Sequence, residues 1–299
     1  MLIKFTSQKK SYFYAVSAVL LWSTVSTAFK IALEFVDFLQ LLLSASAVTL
    51  VILPVIAALR HQTRVLFSIS GKQLLHSALL GFLNPFLYYV ILLKAYSILP
   101  AQLAQPLNYL WPVMLVLLSV PLLKQKLSRS SLFAVLMGFA GVYIISTRGE
   151  VFNIDIQNPF GVFLAAGSSI IWAFFWIFNQ KDERNELNKL FWNFVFGFVY
   201  ILIATLLFSE LPVFNWKSLS AVVYVGLFET GITFYLWMRS LQLTETNSKI
   251  SNLVFLSPFL ALIFIHFILK EEIMFTTPIG LVFIIVGIFV QQTAKLKNT

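Results

Sequence analysis

Residues 101–123 read AQLAQPLNYLWPVMLVLLSVPLL, an uncharged run. It is long enough to cross about 30 Å of hydrocarbon, which takes about 20 mostly apolar residues. Shifted by 146 positions (101 onto 247), the window falls on residues 247–269, NSKISNLVFLSPFLALIFIHFIL. Tyr109-Leu110-Trp111-Pro112 then lies on Phe255-Leu256-Ser257-Pro258, Leu123-Lys124 on Leu269-Lys270 and Gly141 on Gly287, all without a gap. With small gaps upstream, Gly81-Phe82-Leu83-Asn84 matches Gly226-Leu227-Phe228-Glu229, and the run ending at Trp22 matches the run ending at Trp172. The order of the matches is kept from one end of each half to the other. The chain reads as two copies of one unit.

Composition gives the solvent. Of 299 residues 59% are hydrophobic and 11% charged, and the mean hydropathy is +0.88. Soluble chains carry about 25% charged and about 45–50% apolar residues, so there is too little polar side chain here to cover a water-facing surface. This is an all-α integral membrane protein. Apolar runs place spans near 12–33, 38–59, 73–93, 101–123, 130–147, 160–179, 188–208, 218–240, 247–269 and 277–294. That makes ten transmembrane helices, in two five-helix repeats, 1–147 and 160–299, joined by an outer connecting loop at 148–159. Arg148-Gly149-Glu150 and the stretch Asn153 to Asn158 give that loop its turn signals.

Lysine and arginine beside helix ends set the orientation. With the N-terminus inside, the inner segments hold 16 basic residues, from Lys4, Lys9 and Lys10 through Arg60, Arg64 and Lys72 to Lys295 and Lys297. The outer segments hold five: Lys30, Lys94, Arg148, Lys217 and Lys270. Both termini are expected in the cytoplasm. The net charge of +9 sits in these short stretches, which suits anionic lipid headgroups and not nucleic acid. Lys4 to Lys10, an apolar core and the small residues Ser26-Thr27-Ala28 have the outline of a cleavable signal peptide. The repeat gives this helix a counterpart in the second half, so it is read as a retained span.

Five helices is an odd number, so the two copies cross the membrane in opposite directions. Inverted repeats about a pseudo-two-fold axis in the membrane plane recur in secondary transporters, where two nearly equivalent states open a central site to opposite sides.

The pattern Leu20-Leu21-Trp22-Ser23-Thr24, the proline-centred fourth and ninth spans, and the helix ends "LKQKL" at Leu123 and "LKEEI" at Leu269 resemble the drug/metabolite transporter superfamily of EamA type. Asn108-Tyr109-Leu110-Trp111-Pro112, with Leu21-Trp22-Ser23-Thr24, is similar to the bacterial aromatic amino acid exporters. The resemblance covers nearly the whole chain. It implies ten helices in a basket around a central cavity, built mainly from the first, third, fourth, sixth, eighth and ninth. EamA repeats commonly carry a glutamate at the junction of their last two helices. Here the second copy has Glu271-Glu272 and the first has Gln125-Lys126. The function implied is a secondary transporter, in the exporting direction, of a small amphipathic metabolite such as an amino acid. The alternatives are a nucleoside, amine or drug exporter of the same fold, or a lipid flippase or scaffold.

Polar side chains inside spans mark the candidate site, because facing lipid is costly. At about 100° per residue, Gln102, Gln105, Asn108, Tyr109 and Pro112 share one side of the fourth helix. Ser169, Trp172, Trp176 and Asn179 share a side of the sixth, Glu229, Thr233 and Trp237 of the eighth, and Trp22, Ser26 and Lys30 of the first. Trp22, Ser26, Asn84, Gln105, Asn108, Tyr109, Trp172, Trp176, Glu229, Thr233 and Trp237 are the candidate substrate-binding residues of one cavity, matched to a solute with an apolar body and polar ends. Glu229 is the one acidic residue near the middle of a span, and its repeat counterpart is Asn84. It is the candidate for binding a substrate amine or for coupling to protons; the other reading is a protonated glutamate hydrogen-bonded to a neighbouring helix. Pro112 and Pro258 are candidate helix kinks, which either free carbonyls to line the cavity or simply shape the bundle. Glu271 and Glu272 read as a solvated loop face.

No enzyme is expected. The chain lacks cysteine, HExxH, GxSxG and a phosphate-binding loop, and its histidines, His61, His76 and His266, lie at different depths. No cofactor and no metal are expected. The partners expected are a small-molecule substrate and membrane lipids, without nucleic acid, around a monomer or weak dimer. The expected location is a plasma membrane of the bacterial inner-membrane kind.

Overall fold

Apolar length and local capping together decide where the helices lie. The computed structural model describes residues 7–124, 128–149, 156, 158–244, 250 and 252–297, with backbone only at 252 and 291–297. Most of the expected loop at 148–159 (150–155 and 157) lies outside the described residues, as do Lys4, Lys126 and Lys249 of the inner basic stretches and the Gln125-Lys126 pair.

Among the described residues there is helix and no strand. Eight helices are long and apolar enough to cross a membrane: α1 Ser7–Leu33, α2 Phe38–Leu59, α3 Gly71–Ile98, α4 Ala101–Leu123, α5 Arg129–Ser146, α6 Pro159–Asn179, α7 Glu186–Phe208 and α8 Trp216–Leu243. Two shorter apolar helices follow, α9 Leu253–Leu269 and α10, Thr276–Lys297, whose apolar part is Thr276–Val290. The chain is a multi-pass membrane protein.

A helix start leaves backbone N–H groups without partners. Asp37, Ser70 and Asn215 close capping boxes at the starts of α2, α3 and α8, and Asn158 accepts from Gly161 N at 2.9 Å to begin α6. The start of α4 has Pro100 where a capping side chain would stand. Its cap comes from the α9–α10 connection instead. Glu271 accepts from Ala101 N at 2.9 Å and from Gln102 N at 3.2 Å. Glu271 is therefore no solvated face: its carboxylate sits at the positive end of a helix dipole, where negative charge is stabilised. The Gln102 side chain is committed to the same connection, donating to Glu272 O at 2.7 Å and accepting from Met274 N at 2.8 Å.

Four of the apolar helices are interrupted. α3 breaks at Phe82–Leu87, where Asn84 is extended (φ −149°, ψ 121°). α8 widens into a π-type turn at Gly226–Gly231. α4 turns at Tyr109 and Leu110 between Ala101–Asn108 and Trp111–Leu123, and α9 opens as a 3-10 turn, Asn252–Leu256, before Ser257–Leu269. Pro112 and Pro258 are each the second residue of the segment after the break. There the missing N–H costs no helical bond. The kink precedes each proline; it is not centred on it.

The chain divides into two compact units, Met1–Pro85 with Arg184–Leu269, and Phe86–Glu183 with Lys270–Thr299. Each takes helices from both halves of the chain. In the first, α1 packs on α8 and α9, while α2 and α7 pack together and on α8 and the start of α3 respectively. In the second, α6 packs on α4 and the end of α3, and α5 packs on α10. Glycine sets the closest approaches. A Cβ on Gly141 would stand 2.4 Å from Gly280 O, and one on Gly287 3.0 Å from Ala134 O. In the first unit a Cβ on Gly81 would meet Asn193 O of α7 at 2.4 Å, and one on Gly226 would meet Ala45 O of α2 at 2.7 Å. Small residues let helix backbones approach where lipid supplies no hydrophobic drive.

Candidate functional site

In the second unit the centre is an amide held at both ends. Tyr88 on α3 donates its hydroxyl to Asn108 Oδ1 at 3.1 Å, and Asn108 Nδ2 donates to Ser168 Oγ on α6 at 2.9 Å. Ser168 in turn donates to Ala165 O at 2.7 Å. This chain of donors fixes which way the amide points, and it leaves Asn108 one further N–H. Rings line the same place. Tyr88 lies 4.6 Å from Trp172, tilted by 35°. Trp172 meets Phe175 at 5.7 Å and Trp176 edge-on at 6.0 Å. Trp172 and Trp176 are half-buried, so part of each ring stays open. Two buried polar atoms here have no hydrogen-bond partner, Trp176 Nε1 and Gln105 Oε1. Unpaired buried polar groups are uncommon enough to need a reason, and a solute is one.

The first unit carries the second cluster. Trp22 of α1 meets Phe234 edge-on at 5.6 Å and Trp237 at 5.5 Å, both on α8. Trp237 is itself packed in a core with Ala15, Ala18, Val19 and Ile250. Glu229 lies half-buried within the π-type turn of α8. A widened turn releases backbone carbonyls from the regular ladder, and inside a membrane they must be satisfied by other donors. The donors are side chains: Thr49 of α2 to Gly226 O at 3.1 Å, Thr233 to Phe228 O at 2.5 Å, and the Trp22 indole to Glu229 O at 3.2 Å. Thr24 and Tyr224 share a hydroxyl bond of 2.7 Å alongside.

The expected residues thus fall into two groups. Gln105, Asn108, Tyr109, Trp172 and Trp176 lie in the second unit, whereas Trp22, Ser26, Asn84, Glu229, Thr233 and Trp237 lie in the first. Within each, the rings come together as the helical spacing suggests. Thr233 spends its hydroxyl on its own helix, and Asn84 and Ser26 are buried, with Asn84 Oδ1 unpartnered. Sequence reasoning missed Tyr88, Ser168 and Thr49. Ser168 neighbours Ser169 on a face already singled out, so its hydroxyl was the available signal. Tyr88 and Thr49 had none, because ordinary packing uses the same residues.

Comparison with known proteins gives the family. The family model described as the EamA-like transporter family matches residues 9–147 and 159–291. The chain is similar to the uncharacterized transporter YoaV of Bacillus subtilis, 24% identical over 92% of this chain and 94% of the relative. It is also similar to the aromatic amino acid exporter YddG of Ancylobacter novellus, 29% identical over 50% of this chain and 53% of that protein. One crystal structure superposes with a TM-score of 0.66 at 20% identity, covering 96% of this chain and 98% of the other. That likeness concerns the fold.

Proposed function

Because the chain belongs to the EamA-like transporter family, we propose that it is a ten-span secondary carrier built of two inverted repeats, 1–147 and 160–299. It exports a small amphipathic metabolite, such as an amino acid, by alternating access. The observation that carries this reading is an exchange of partners. Gly141 meets Gly280, and Gly287 meets Ala134; the 146-residue shift turns 141 into 287 and 134 into 280. A two-fold axis pairs residues in this reciprocal way, i with j and j with i. The same exchange recurs in the first unit, where Gly81 meets α7 while its counterpart Gly226 meets α2. Helix pairing follows suit, α1 lying on α8 and α9, and α6 on the end of α3 and α4.

The solute is assigned from the clusters. In the second unit, tryptophan and tyrosine rings give flat apolar area, while the oriented amide of Asn108 and the indole N–H of Trp176 fix a polar end. The name of the YddG relative, an aromatic amino acid exporter, agrees with a ring-bearing solute.

Purified protein in liposomes is expected to move radiolabelled aromatic amino acids faster than empty liposomes do. Movement of nucleosides or amines alone would reassign the substrate, and movement of labelled lipid alone would overturn the metabolite reading. The topology has its own test. The location proposed is the plasma membrane, with both termini in the cytoplasm, from the 16-to-5 distribution of basic residues. Alkaline phosphatase fused after Thr299 is expected to be inactive, and fused near Asn153 active. The reverse pattern would sink this architecture.

A further inference from the structure

The two breaks at matching repeat positions are chemically unlike. After Asn84 comes Pro85, whose ring is seated against Gly197, where a Cβ would stand 2.5 Å away. After Glu229 comes Thr230, then Gly231, with Gly226 at the other end of the turn. Thr230 shares a 2.6 Å hydroxyl bond with Thr49 of α2. A glycine within a helix weakens it by about 0.5–1 kcal/mol relative to alanine, and this turn has one at each end.

Thr49 has more acceptors than protons. Its hydroxyl stands 3.1 Å from Gly226 O across the helix pair and 3.0 Å from Ala45 O on its own helix, yet a hydroxyl carries one hydrogen. It can give that hydrogen to α8 or take it back into α2. Thr230 Oγ1, 3.5 Å from Gly226 O, stands ready to serve that carbonyl when Thr49 lets go. Neither arrangement strands a donor, so both are low in energy.

We propose that Gly226–Gly231 is a hinge in α8 and that the Thr49 hydroxyl is its latch. Bending there swings the inner segment, Ile232–Leu243, against α2 while the outer segment, Trp216–Val225, stays in place. Glu229 sits in the bend, and its carbonyl is tied to Trp22, so the hinge re-aims the carboxylate. That last consequence rests on the carrier reading given above.

The test uses pulsed dipolar spectroscopy on the full chain in nanodiscs. The absence of cysteine means that only introduced cysteines take spin labels. Leu59 and Gln242, both exposed, report the inner segment against α2, and Leu59 with Leu219 reports the outer one. The expected result is two distance components for Leu59–Gln242 and one for Leu59–Leu219. Thr49→Val is expected to change the ratio of the two components about fivefold, the factor one net hydrogen bond carries. Thr49→Ser keeps the hydroxyl and is expected to leave the ratio as it is. Thr230→Ala removes the hydroxyl that serves Gly226 O when Thr49 lets go and is expected to move the ratio in the opposite direction from Thr49→Val, which guards against a variant that fails to fold. A single unchanged component for Leu59–Gln242 in every variant would overturn the hinge. So would parallel changes in both pairs, since α8 would then move as one rod. Uptake into liposomes separates the two readings: a moving hinge without solute transport refutes the carrier, and transport with a rigid α8 refutes the hinge.

Discussion

Replacing Trp172 by alanine is expected to slow solute movement in proteoliposomes by at least about tenfold. Trp172 is the ring through which the cluster of the second unit is connected, meeting Tyr88, Phe175 and Trp176. A solute ring stacked on its open face would carry about 0.5–1.5 kcal/mol, and about 1.4 kcal/mol corresponds to a factor of ten in rate. Trp172→Phe keeps a ring and is expected to retain most of the activity. A purely structural tryptophan would behave differently: its alanine variant would lose thermal stability while transport per folded molecule stayed constant. Transport at the wild-type rate per folded molecule would remove Trp172 from the site.

The second large effect is expected at Glu229. Among the described residues it is the one carboxylate within the middle of an apolar helix. Glu229→Gln preserves shape and hydrogen-bonding capacity while removing the charge change. Accumulation driven by a pH gradient is expected to disappear, and passive exchange of a neutral solute to survive. The bond from the Trp22 indole to the Glu229 backbone carbonyl is untouched by Glu229→Gln, and folding is expected to persist. Pumping at the wild-type rate in this variant would place the coupling elsewhere, or leave a facilitator driven only by the solute gradient.

The helices were legible because lipid imposes one simple demand, about 20 apolar residues in a row, and the chain meets it repeatedly. Their interruptions were less legible. Pro112 and Pro258 pointed to the right stretches, yet each proline starts a segment, because a helix tolerates proline where its N–H would be unpaired anyway. The turn at Gly226–Gly231 had only its two glycines to announce it. Glu271 was misjudged because capping the start of α4 from the α9–α10 connection is a contact between residues 170 apart in sequence (101 to 271). Helical spacing collected Trp172 with Trp176 and Glu229 with Trp237, since it reports which residues share a face. It says nothing about which helix that face meets, and so Tyr88 and Thr49, partners from other helices, stayed invisible.

The contact between α5 and α10 constrains what insertions and deletions the gene tolerates. Ala134 and Gly141 are seven residues apart, and so are Gly280 and Gly287, about two helical turns in each case. Adding or deleting one residue inside either interval would rotate everything beyond it by about 100° and shift it by about 1.5 Å. One backbone contact would be thrown out of register with the other, with no side chain able to yield. Length changes are therefore excluded from both intervals, and 134–141 and 280–287 behave as fixed-length cassettes that must be inherited whole.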